Sequence, residues 1–268
     1  MYRILFKIGS FSIYSYGAMI ALAFVIGIFL AMKEAKKTGE DPESIIDLSL
    51  YVIVGVLIGG RLIYVATFLD YYLKNPVQIL YFRQGGLSFL GAFLFAFLLA
   101  CLYIKKHKLS VWKYADIATP SIALGLFFGR IGCFLNGCCY GVVSEKYGVR
   151  FPSLDTPPVY LQHLKEGLIS SGSSCSLPVI PTQIYSALFG VVLFFIILKL
   201  KKYKKYDGYL FLNFLILYSI YRFIIEFFRF YSNSIMVFNV LTITQFACIF
   251  IIIFATIYMR FLNKNSQG

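Results

Sequence analysis

Charged side chains are scarce in this sequence. Asp, Glu, Lys and Arg together make up 14% of the 268 residues, whereas 59% of the residues are hydrophobic and 19% are aromatic. A soluble domain of this length could not bury so much apolar surface, but a lipid bilayer accommodates it. The scarcity of charge therefore excludes an ordinary soluble domain and indicates a membrane protein.

Among the charged residues, acidic ones are fewer than basic ones. The chain has 12 Asp and Glu against 25 Lys and Arg, which gives a formal net charge of +13. Such a balance can mark a nucleic-acid-binding protein. Here the basic residues lie in short clusters between apolar runs, which is where membrane proteins carry them, so we expect no nucleic-acid partner.

Cysteine and histidine are also few. Six scattered cysteines do not make the framework of a disulfide-rich domain. The sequence shows no zinc pattern of paired Cys and His, so we predict no metal and no cofactor. The first residues, MYRILFKIGSFSIYSYG, lack the order of charged, apolar and small residues of a cleaved signal peptide, so the first apolar run is expected to be retained.

Seven apolar runs approach the length of about 20 residues that crosses a bilayer. They are Tyr16–Met32, Ile45–Phe68, Leu87–Ile104, Ala115–Phe134, Thr182–Leu200, Gly208–Phe228 and Phe238–Phe261. Lysines concentrate in the loops after the first, third and fifth runs, which predicts an outer N-terminus and a cytoplasmic C-terminus. The predicted fold is an all-α polytopic membrane protein with seven transmembrane helices in a single membrane domain, residues 1–268.

The fourth loop, residues 142–181, is the only long one. It is polar and interrupted by Pro, Gly and Ser, as in PSLDTPPVYLQ and SSGSSCSLP. Loops of this length are usually functional or disordered. We predict a small outer cap within the membrane domain, with one short helix.

Polar side chains recur at the predicted outer ends of the spans. A charge within a membrane costs at least about 2.5–3.5 kcal/mol, so four arginines and a glutamate in one leaflet predict a shared polar cavity. Arg222, Glu226 and Arg229 have the spacing of one helical face, which is either a salt-bridged stripe or an anion site. Arg61 is either structural or part of that site. A phospholipid head group is the expected anion, because arginine forks match phosphate oxygens.

Residues 129–141, GRIGCFLNGCCYG, combine four glycines with three cysteines at the predicted outer end of the fourth span. Gly137 and Gly141 allow the chain to turn out of the helix. For Cys138 and Cys139 two possibilities stay open: a disulfide with Cys175 in the cap, or a reactive thiol.

These motifs resemble those of the bacterial prolipoprotein diacylglyceryl transferase family over nearly the whole chain. They are the SYG start, GGRLIY at 59–64, GGLSFLG at 85–91, GRIGCFLNGCCYG, IPTQIY at 180–185 and YRFIIEFFR at 221–229. The resemblance implies a multi-pass protein of the bacterial cytoplasmic (inner) membrane. The implied reaction transfers a diacylglyceryl group from phosphatidylglycerol to the lipobox cysteine of a preprolipoprotein. The implied partners are phosphatidylglycerol, preprolipoprotein signal peptides and membrane lipids.

The resemblance also implies roles for individual residues. Arg130 and Arg222 would hold phosphate and offset charge on the leaving group, and Glu226 would orient Arg222, which makes these three the predicted catalytic residues. Tyr16, Tyr218 and Asn136 would line the lipid site, and Gly141 would shape the turn. The predicted substrate-binding residues are these four together with four polar residues at the outer ends of the spans, namely Arg61, Ser88, Gln183 and Arg229.

The chain departs from the family pattern in its titratable residues. Leu90 replaces the usual histidine, and Cys133 and Cys138 replace the usual asparagine and glutamate. General-base help is worth about 10²–10⁴ in rate, so its loss slows the reaction without forbidding it. His163 in the cap could substitute, although a plain surface position is the preferred expectation.

Two other function classes therefore stay open beside the transferase. One is a non-catalytic membrane paralogue that binds lipid or lipopeptide, which Leu90 favours. The other is a membrane thiol oxidoreductase, which would use Cys138 and Cys139 and depends on Cys175.

Overall fold

The structure, a computed structural model, describes residues 3–8, 11–81, 86–231, 236–237 and 241–265. Within these ranges seven helices are long and apolar enough to cross a membrane. They are α1 (Ser15–Lys37), α2 (Pro42–Thr67), α4 (Phe89–Lys106), α5 (Val111–Asn136), α7 (Thr182–Leu200), α8 (Tyr209–Glu226) and α9 (Ile243–Asn265). The prediction of an all-α, seven-span membrane protein is therefore confirmed, and its orientation stays a prediction.

The remaining elements are short. Helices α3 (Leu69–Lys74) and α6 (Pro158–Lys165) follow the second and fourth spans, and 3-10 turns cover Pro76–Leu80 and Lys201–Tyr203. Two antiparallel hairpins, which hydropathy did not predict, are β1 (Ile4–Ile8) with β2 (Phe11–Tyr14) and β3 (Met236–Val237) with β4 (Leu241–Thr242).

Most span boundaries lie within a few residues of the predicted ones. The predicted fifth span coincides with α7. Helix α1 continues beyond its apolar run to Lys37, because Lys, Glu and Ala are good helix formers even where hydropathy falls. The predicted start of the last span, Phe238, lies outside the described residues, and α9 begins at Ile243.

Local signals in the sequence fix several helix ends. Asp41 caps α2 by accepting a hydrogen bond from the Glu43 amide at 3.0 Å, and Pro42 occupies the first helical position. Gly137 follows α5 with φ +72°, a left-handed conformation that stops the helix at little cost for glycine. The turn between the fourth span and the cap is thus encoded in the sequence, as predicted.

The described residues group into two compact units, 28–117 and 1–27 with 118–268. In the first unit α2 and α4 approach very closely. A Cβ on Gly59 would lie 2.2 Å from Cβ of Phe95, and a Cβ on Gly91 would lie 2.2 Å from the Gly59 carbonyl oxygen. Glycine at these positions therefore allows direct backbone packing between two spans.

In the second unit, α7 and α8 share an apolar core with α5. Its buried members are Ala123, Leu193, Ile197, Leu210 and Phe214. Helix α8 also packs against α9. Because these helices hold their ends in fixed register, the polar residues at the ends of α5, α7 and α8 have defined positions.

The fourth loop, 142–181, contains the predicted short helix, α6. Isolated bridges pair Val149 with Val179 and Pro152 with Cys175. Phe151 and Val179 are fully buried in a small apolar cluster. The loop thus packs against Tyr140, and Phe134 of α5 and Phe230 pack against the same cluster; its role as an outer cap stays a prediction.

His163, on α6, is not on the surface of the cap as expected. Its side chain is 1% exposed, its Nδ1 accepts a hydrogen bond from the Leu177 amide at 3.3 Å, and its ring meets Tyr140 edge-on at 5.9 Å. Burial lowers the pKa of His163. The residue is therefore part of the packing of the cap, because its neutral ring fills a pocket that the polarity of histidine did not predict.

Candidate active site

The site begins with an ion pair at the end of α8. Arg222 donates from Nη1 to Oε2 of Glu226, whose side chain is 1% exposed. The spacing i, i+4 brings these two side chains together, as the sequence predicted. Tyr231 completes the pair, because its hydroxyl accepts from Nη2 of Arg222 at 3.0 Å and donates to Oε2 of Glu226 at 2.8 Å. The other carboxylate oxygen of Glu226 accepts from the Thr242 hydroxyl at 3.0 Å.

This network fixes Arg222. Each hydrogen-bond partner of the Glu226 carboxylate among the described residues is a donor, so the carboxylate is held in one orientation. Tyr231 and Thr242 were missed in the sequence, because neither is at helical spacing from Glu226. A hydroxyl that follows the helix by five residues carries no pattern of its own.

Arg229 is not on the same helical face as Arg222, contrary to prediction. Helix α8 ends at Glu226, and Arg229 lies in the following turn, where it pairs with Gly141 as an isolated bridge. Its guanidinium lies 5.1 Å from the centre of the Tyr231 ring. Its Nε is buried and has no hydrogen-bond partner among the described residues. The residue therefore reaches the Arg222 network from outside the helix, with a donor left over.

Arg130 lies on α5, and the Tyr218 hydroxyl is within its hydrogen-bonding reach. The Tyr221 hydroxyl is close enough to interact electrostatically with both Arg130 and Arg222. That hydroxyl is fixed by a 2.8 Å hydrogen bond to Ser186. Arg130, Arg222 and Tyr218, which the sequence predicted to act together, thus border one region of the second unit.

Tyr16 lies at the start of α1 and borders the same helix as Arg130. A Cβ on Gly132 would lie 3.1 Å from Cδ2 of Tyr16 and 3.2 Å from Cβ of Met19. Glycine at 132 therefore lets the first turns of α1 approach α5. The Tyr16 side chain is 42% exposed and interacts electrostatically with Arg130.

Asn136, the last residue of α5, is joined to the N-terminal hairpin. Its Oδ1 accepts from Nε of Arg3 at 3.2 Å. Arg3 also donates to the carbonyl oxygens of Asp155 and Thr156 in the cap, at 3.1 and 3.3 Å. Sequence reasoning missed Arg3, because its partners are more than 130 residues away. The predicted role of Asn136 at a lipid stays a prediction.

Gly141 and Gln183 hold the turn between α5 and the cap. A Cβ on Gly141 would lie 2.4 Å from the Phe228 carbonyl oxygen, so only glycine fits there. Gln183 is completely buried and donates to the Cys138 carbonyl at 2.8 Å. Its Oε1 has no partner among the residues that the structure describes. Both residues thus hold the backbone of this turn, and the substrate-binding roles predicted for them stay predictions.

Three of the six cysteines gather in this turn. The sulfur atoms of Cys133, Cys138 and Cys139 lie within 4.8 Å of one another. Hydrogen bonds from the other two thiols, and the guanidiniums of Arg229 and Arg130, lower the pKa of the Cys139 thiol. All six cysteines are free, so of the two possibilities left open for Cys138 and Cys139 the disulfide with Cys175 is not the one present.

Comparison with known proteins settles the family. The family model of prolipoprotein diacylglyceryl transferase matches residues 3–261. The chain is 32% identical to the phosphatidylglycerol–prolipoprotein diacylglyceryl transferase of Bacillus cytotoxicus, over 99% of this chain and 94% of that protein. It is 35% identical to the protein of the same name from Clostridium tetani, over 85% of this chain and 86% of that protein. The chain belongs to the prolipoprotein diacylglyceryl transferase family.

Membership of this transferase family also makes the chain a multi-pass membrane protein in lipoprotein biosynthesis, in agreement with its seven apolar helices. Two of its motifs, GGRLIY and GGLSFLG, lie in unit 28–117. The first residue of the second motif, Gly85, lies outside the described residues.

Within GGRLIY, Arg61 forms hydrogen bonds with the backbone of the loop that follows α2. It donates to the carbonyl oxygens of Gln78, Ile79, Tyr81 and Gly86, at 2.5, 2.8, 3.3 and 3.1 Å. The arrangement favours the structural alternative for Arg61, because its guanidinium binds the loop rather than projecting from it.

Within GGLSFLG, Ser88 caps α4. Its hydroxyl accepts from the Gly91 amide at 3.4 Å, and its own amide donates to the Gly60 carbonyl at 2.9 Å. Leu90, in the same motif, is 60% exposed. The substrate contact predicted for Ser88 stays a prediction, and the motif has an evident structural role beside it.

Proposed function

We propose that this chain, in the bacterial cytoplasmic membrane, transfers the diacylglyceryl group of phosphatidylglycerol to the lipobox cysteine of prolipoproteins. The names of its relatives describe these two substrates for those proteins. The observation that carries the proposal is the fixed guanidinium of Arg222. Glu226 and Tyr231 hold it, and the hydroxyls of Tyr218 and Tyr221 interact electrostatically with both Arg222 and Arg130.

Charge supports an anionic ligand at this place. Arg130, Arg222 and Arg229 bring three positive charges, and Glu226 brings one negative charge. Even with Cys139 as a thiolate, one positive charge is left over. Because uncompensated charge is costly in a membrane, a phosphate-bearing ligand would stabilise the site. The leftover Nε donor of Arg229 has the chemistry to meet a phosphate oxygen.

The reaction needs that charge most at the moment of bond breaking. The acceptor sulfur attacks the glycerol carbon of the diacylglyceryl group, a thioether bond forms, and the carbon–oxygen bond to phosphate breaks. Glycerol phosphate leaves with the electron pair, and the thiol proton passes to water or to the departing phosphate. Guanidiniums already fixed around the phosphate stabilise the growing charge without reorganisation.

The acceptor thiol must lose its proton without the usual histidine, whose position holds Leu90. A free thiol has a pKa near 8.5, so about 3% is thiolate at pH 7. We therefore expect the rate to rise with pH up to the pKa of the acceptor. From the resemblance alone, we expect Leu90→His to raise the rate at neutral pH and to flatten this dependence.

The second candidate is a lipid-binding paralogue without activity, which Leu90 itself favours. A thiol oxidoreductase has less support, because it needed Cys175 as a partner and Cys175 is a free thiol.

The test uses the purified full chain, phosphatidylglycerol and a lipobox peptide, with released glycerol phosphate as the measurement. A peptide with serine in place of the lipobox cysteine is the control and should give no release. Release that depends on the cysteine supports the transferase. Measurable phosphatidylglycerol binding without release at any pH, from either the natural chain or Leu90→His, would leave only the binding protein.

A further inference from the structure

The three cysteines at the end of α5 have the mutual distances of metal ligands. All their sulfur atoms lie within 4.8 Å of one another. A zinc–sulfur bond is about 2.3 Å long, so sulfurs on one ion are about 3.8 Å apart in tetrahedral and about 4.0 Å apart in trigonal geometry. Side-chain rotations that move each sulfur atom by less than about 1 Å would bring all three into bonding distance of one ion.

We propose that Cys133, Cys138 and Cys139 form a binding site for one soft, thiolate-preferring cation, Zn²⁺ or Cu⁺. Thiolates select these two cations over the harder divalent ions. No other His, Cys, Asp or Glu joins the three within the part of the chain that the structure describes. Three sulfurs complete the trigonal geometry that suits Cu⁺, or leave one position of a tetrahedral Zn²⁺ to water.

The backbone is arranged so that the three thiols converge. Cys133 lies in the last turn of α5, and the Cys138 amide donates back to its carbonyl at 3.1 Å. Gly137 has φ +72° and Cys139 has φ +61°. A residue with a side chain in this left-handed region costs on the order of 1 kcal/mol. Cys139 therefore occupies an unfavourable conformation that turns its side chain towards the other two.

Helix α7 fixes the two later cysteines from outside. Gln183 donates to the Cys138 carbonyl at 2.8 Å, and the Thr182 hydroxyl donates to the Cys139 carbonyl at 2.9 Å. Both anchoring side chains are buried. The ligand set is consequently held in place before a cation arrives, as in metal sites supported by outer hydrogen bonds.

The charges around the cluster also suit a bound thiolate complex. Three thiolates carry a net charge of −1 with Zn²⁺ and −2 with Cu⁺. Arg229 and Arg130 are both close enough to Cys139 to interact with it electrostatically. Two guanidiniums beside the complex offset this negative charge, which would otherwise be costly at a membrane boundary. Together with Arg222 and Glu226, the site then keeps one positive charge for an anion with Zn²⁺ and none with Cu⁺.

The test measures metal content, not transfer activity. The reduced full chain in detergent is loaded with Zn²⁺, or with Cu⁺ under anaerobic conditions, and freed of excess cation. We expect one cation per chain for the natural protein and for the control variants Cys101→Ser and Cys175→Ser. Each of Cys133→Ser, Cys138→Ser and Cys139→Ser should weaken binding by more than about 100-fold, since even outer-shell partners are worth 10–100-fold.

A second measurement covers the case in which a variant folds poorly. Co²⁺ added to the natural chain should give a thiolate-to-cobalt charge-transfer band, which added Zn²⁺ or Cu⁺ then removes; the cation effective at the lower concentration is the preferred one. The proposal is overturned if the reduced natural chain binds no cation while all six thiols react with a thiol reagent. It is equally overturned if the three variants bind as much as the two controls, or if two of the three sulfurs form a disulfide and the reduced chain cannot be loaded.

Discussion

Arg61 and Arg222 are both arginines in apolar spans, but the structure uses their donors differently. Arg61, in unit 28–117, is 5% exposed and gives its guanidinium to four backbone carbonyls of the following loop. Its ring neighbour is Tyr72, at 5.3 Å. Arg222, in the other unit, is held by one carboxylate and one phenol, and the Tyr221 hydroxyl interacts electrostatically with both it and Arg130.

The difference shows that charge in a membrane span does not by itself indicate a binding site. The N–H groups of Arg61 donate to carbonyl oxygens of the loop, so Arg61 stabilises the loop conformation. The network around Arg222 fixes the guanidinium but gathers more positive than negative charge, which leaves a demand for an anion. The structural role of Arg61 and the binding role of Arg222 are therefore distinguished by the groups that accept their hydrogen bonds, more than by the cost of placing a charge in the membrane.

The largest expected effect is that of Arg222→Lys. Lysine keeps the charge but cannot reproduce the two-pronged geometry of the guanidinium. Loss of one transition-state donor costs about 10²–10³ in rate, and we expect a loss of that size in glycerol phosphate release. Arg260→Lys, at an exposed position near the end of α9, is the matched control and should be silent. Full activity of Arg222→Lys at normal expression would remove Arg222 from the reaction.

Arg61→Lys should show the opposite pattern. A lysine cannot reach four carbonyls at once, and hydrogen bonds to charged groups contribute about 1.5–3 kcal/mol each. We expect the free energy of unfolding to fall by about 2–4 kcal/mol, while activity per folded molecule stays unchanged. Thermal unfolding and glycerol phosphate release, measured on the same preparation, separate the two quantities. Unchanged stability with lost activity would instead support the substrate contact that the sequence suggested for Arg61.

Gly137→Ala tests the turn that carries the cysteines and leads into the cap. A Cβ there would lie 2.7 Å from Cβ of Pro157, and φ is +72°. Left-handed backbone alone costs about 1–2 kcal/mol for a residue with a side chain, so we expect at least that loss of stability. Gly125→Ala, within α5, has no heavy atom within 4 Å of the added Cβ and should be neutral or slightly stabilising. Equal stability of both variants would contradict the packing at Gly137.

The sequence predicted the spans well because the bilayer imposes one requirement on all of them. About 20 apolar residues are needed for each crossing, and that signal is local. The Arg222–Glu226 pair was predictable for the same reason, since four residues make one helical turn. Arg229 was misplaced because the spacing argument assumed that α8 continues, whereas it ends at Glu226. Spacing along a sequence is informative only up to the helix end.

Contacts between distant segments account for the rest. Arg3 joins Asn136 across more than 130 residues, and neither residue carries a signal for the other. The sequence did not predict the cysteine cluster as a metal site, because such sites are usually recognised by paired ligands with short gaps, whereas Cys138 and Cys139 are adjacent. Cys139 also has φ +61°, a conformation that is uncommon for a residue with a side chain and that the local sequence does not predict.

The smallest expected effect concerns His163. Like Arg61, it is a buried titratable residue whose hydrogen bond is to the backbone. His163 is buried in the cap, and burial lowers its pKa in the folded chain below the ordinary value of about 6.5. Its contribution to stability is therefore complete above pH 6.5 and is lost as pH falls towards the folded pKa. The unfolded chain takes up the proton first, and the free energy of unfolding falls by at most about 1.4 kcal/mol for each pH unit in that window.

Thermal unfolding between pH 7.5 and 5 should show this slope. His163→Gln should reduce the slope, and His107→Gln, at an exposed position, should keep it. An identical slope in all three chains would mean that His163 is protonated equally in the folded and unfolded states, which its burial against Tyr140 and the Leu177 amide argues against.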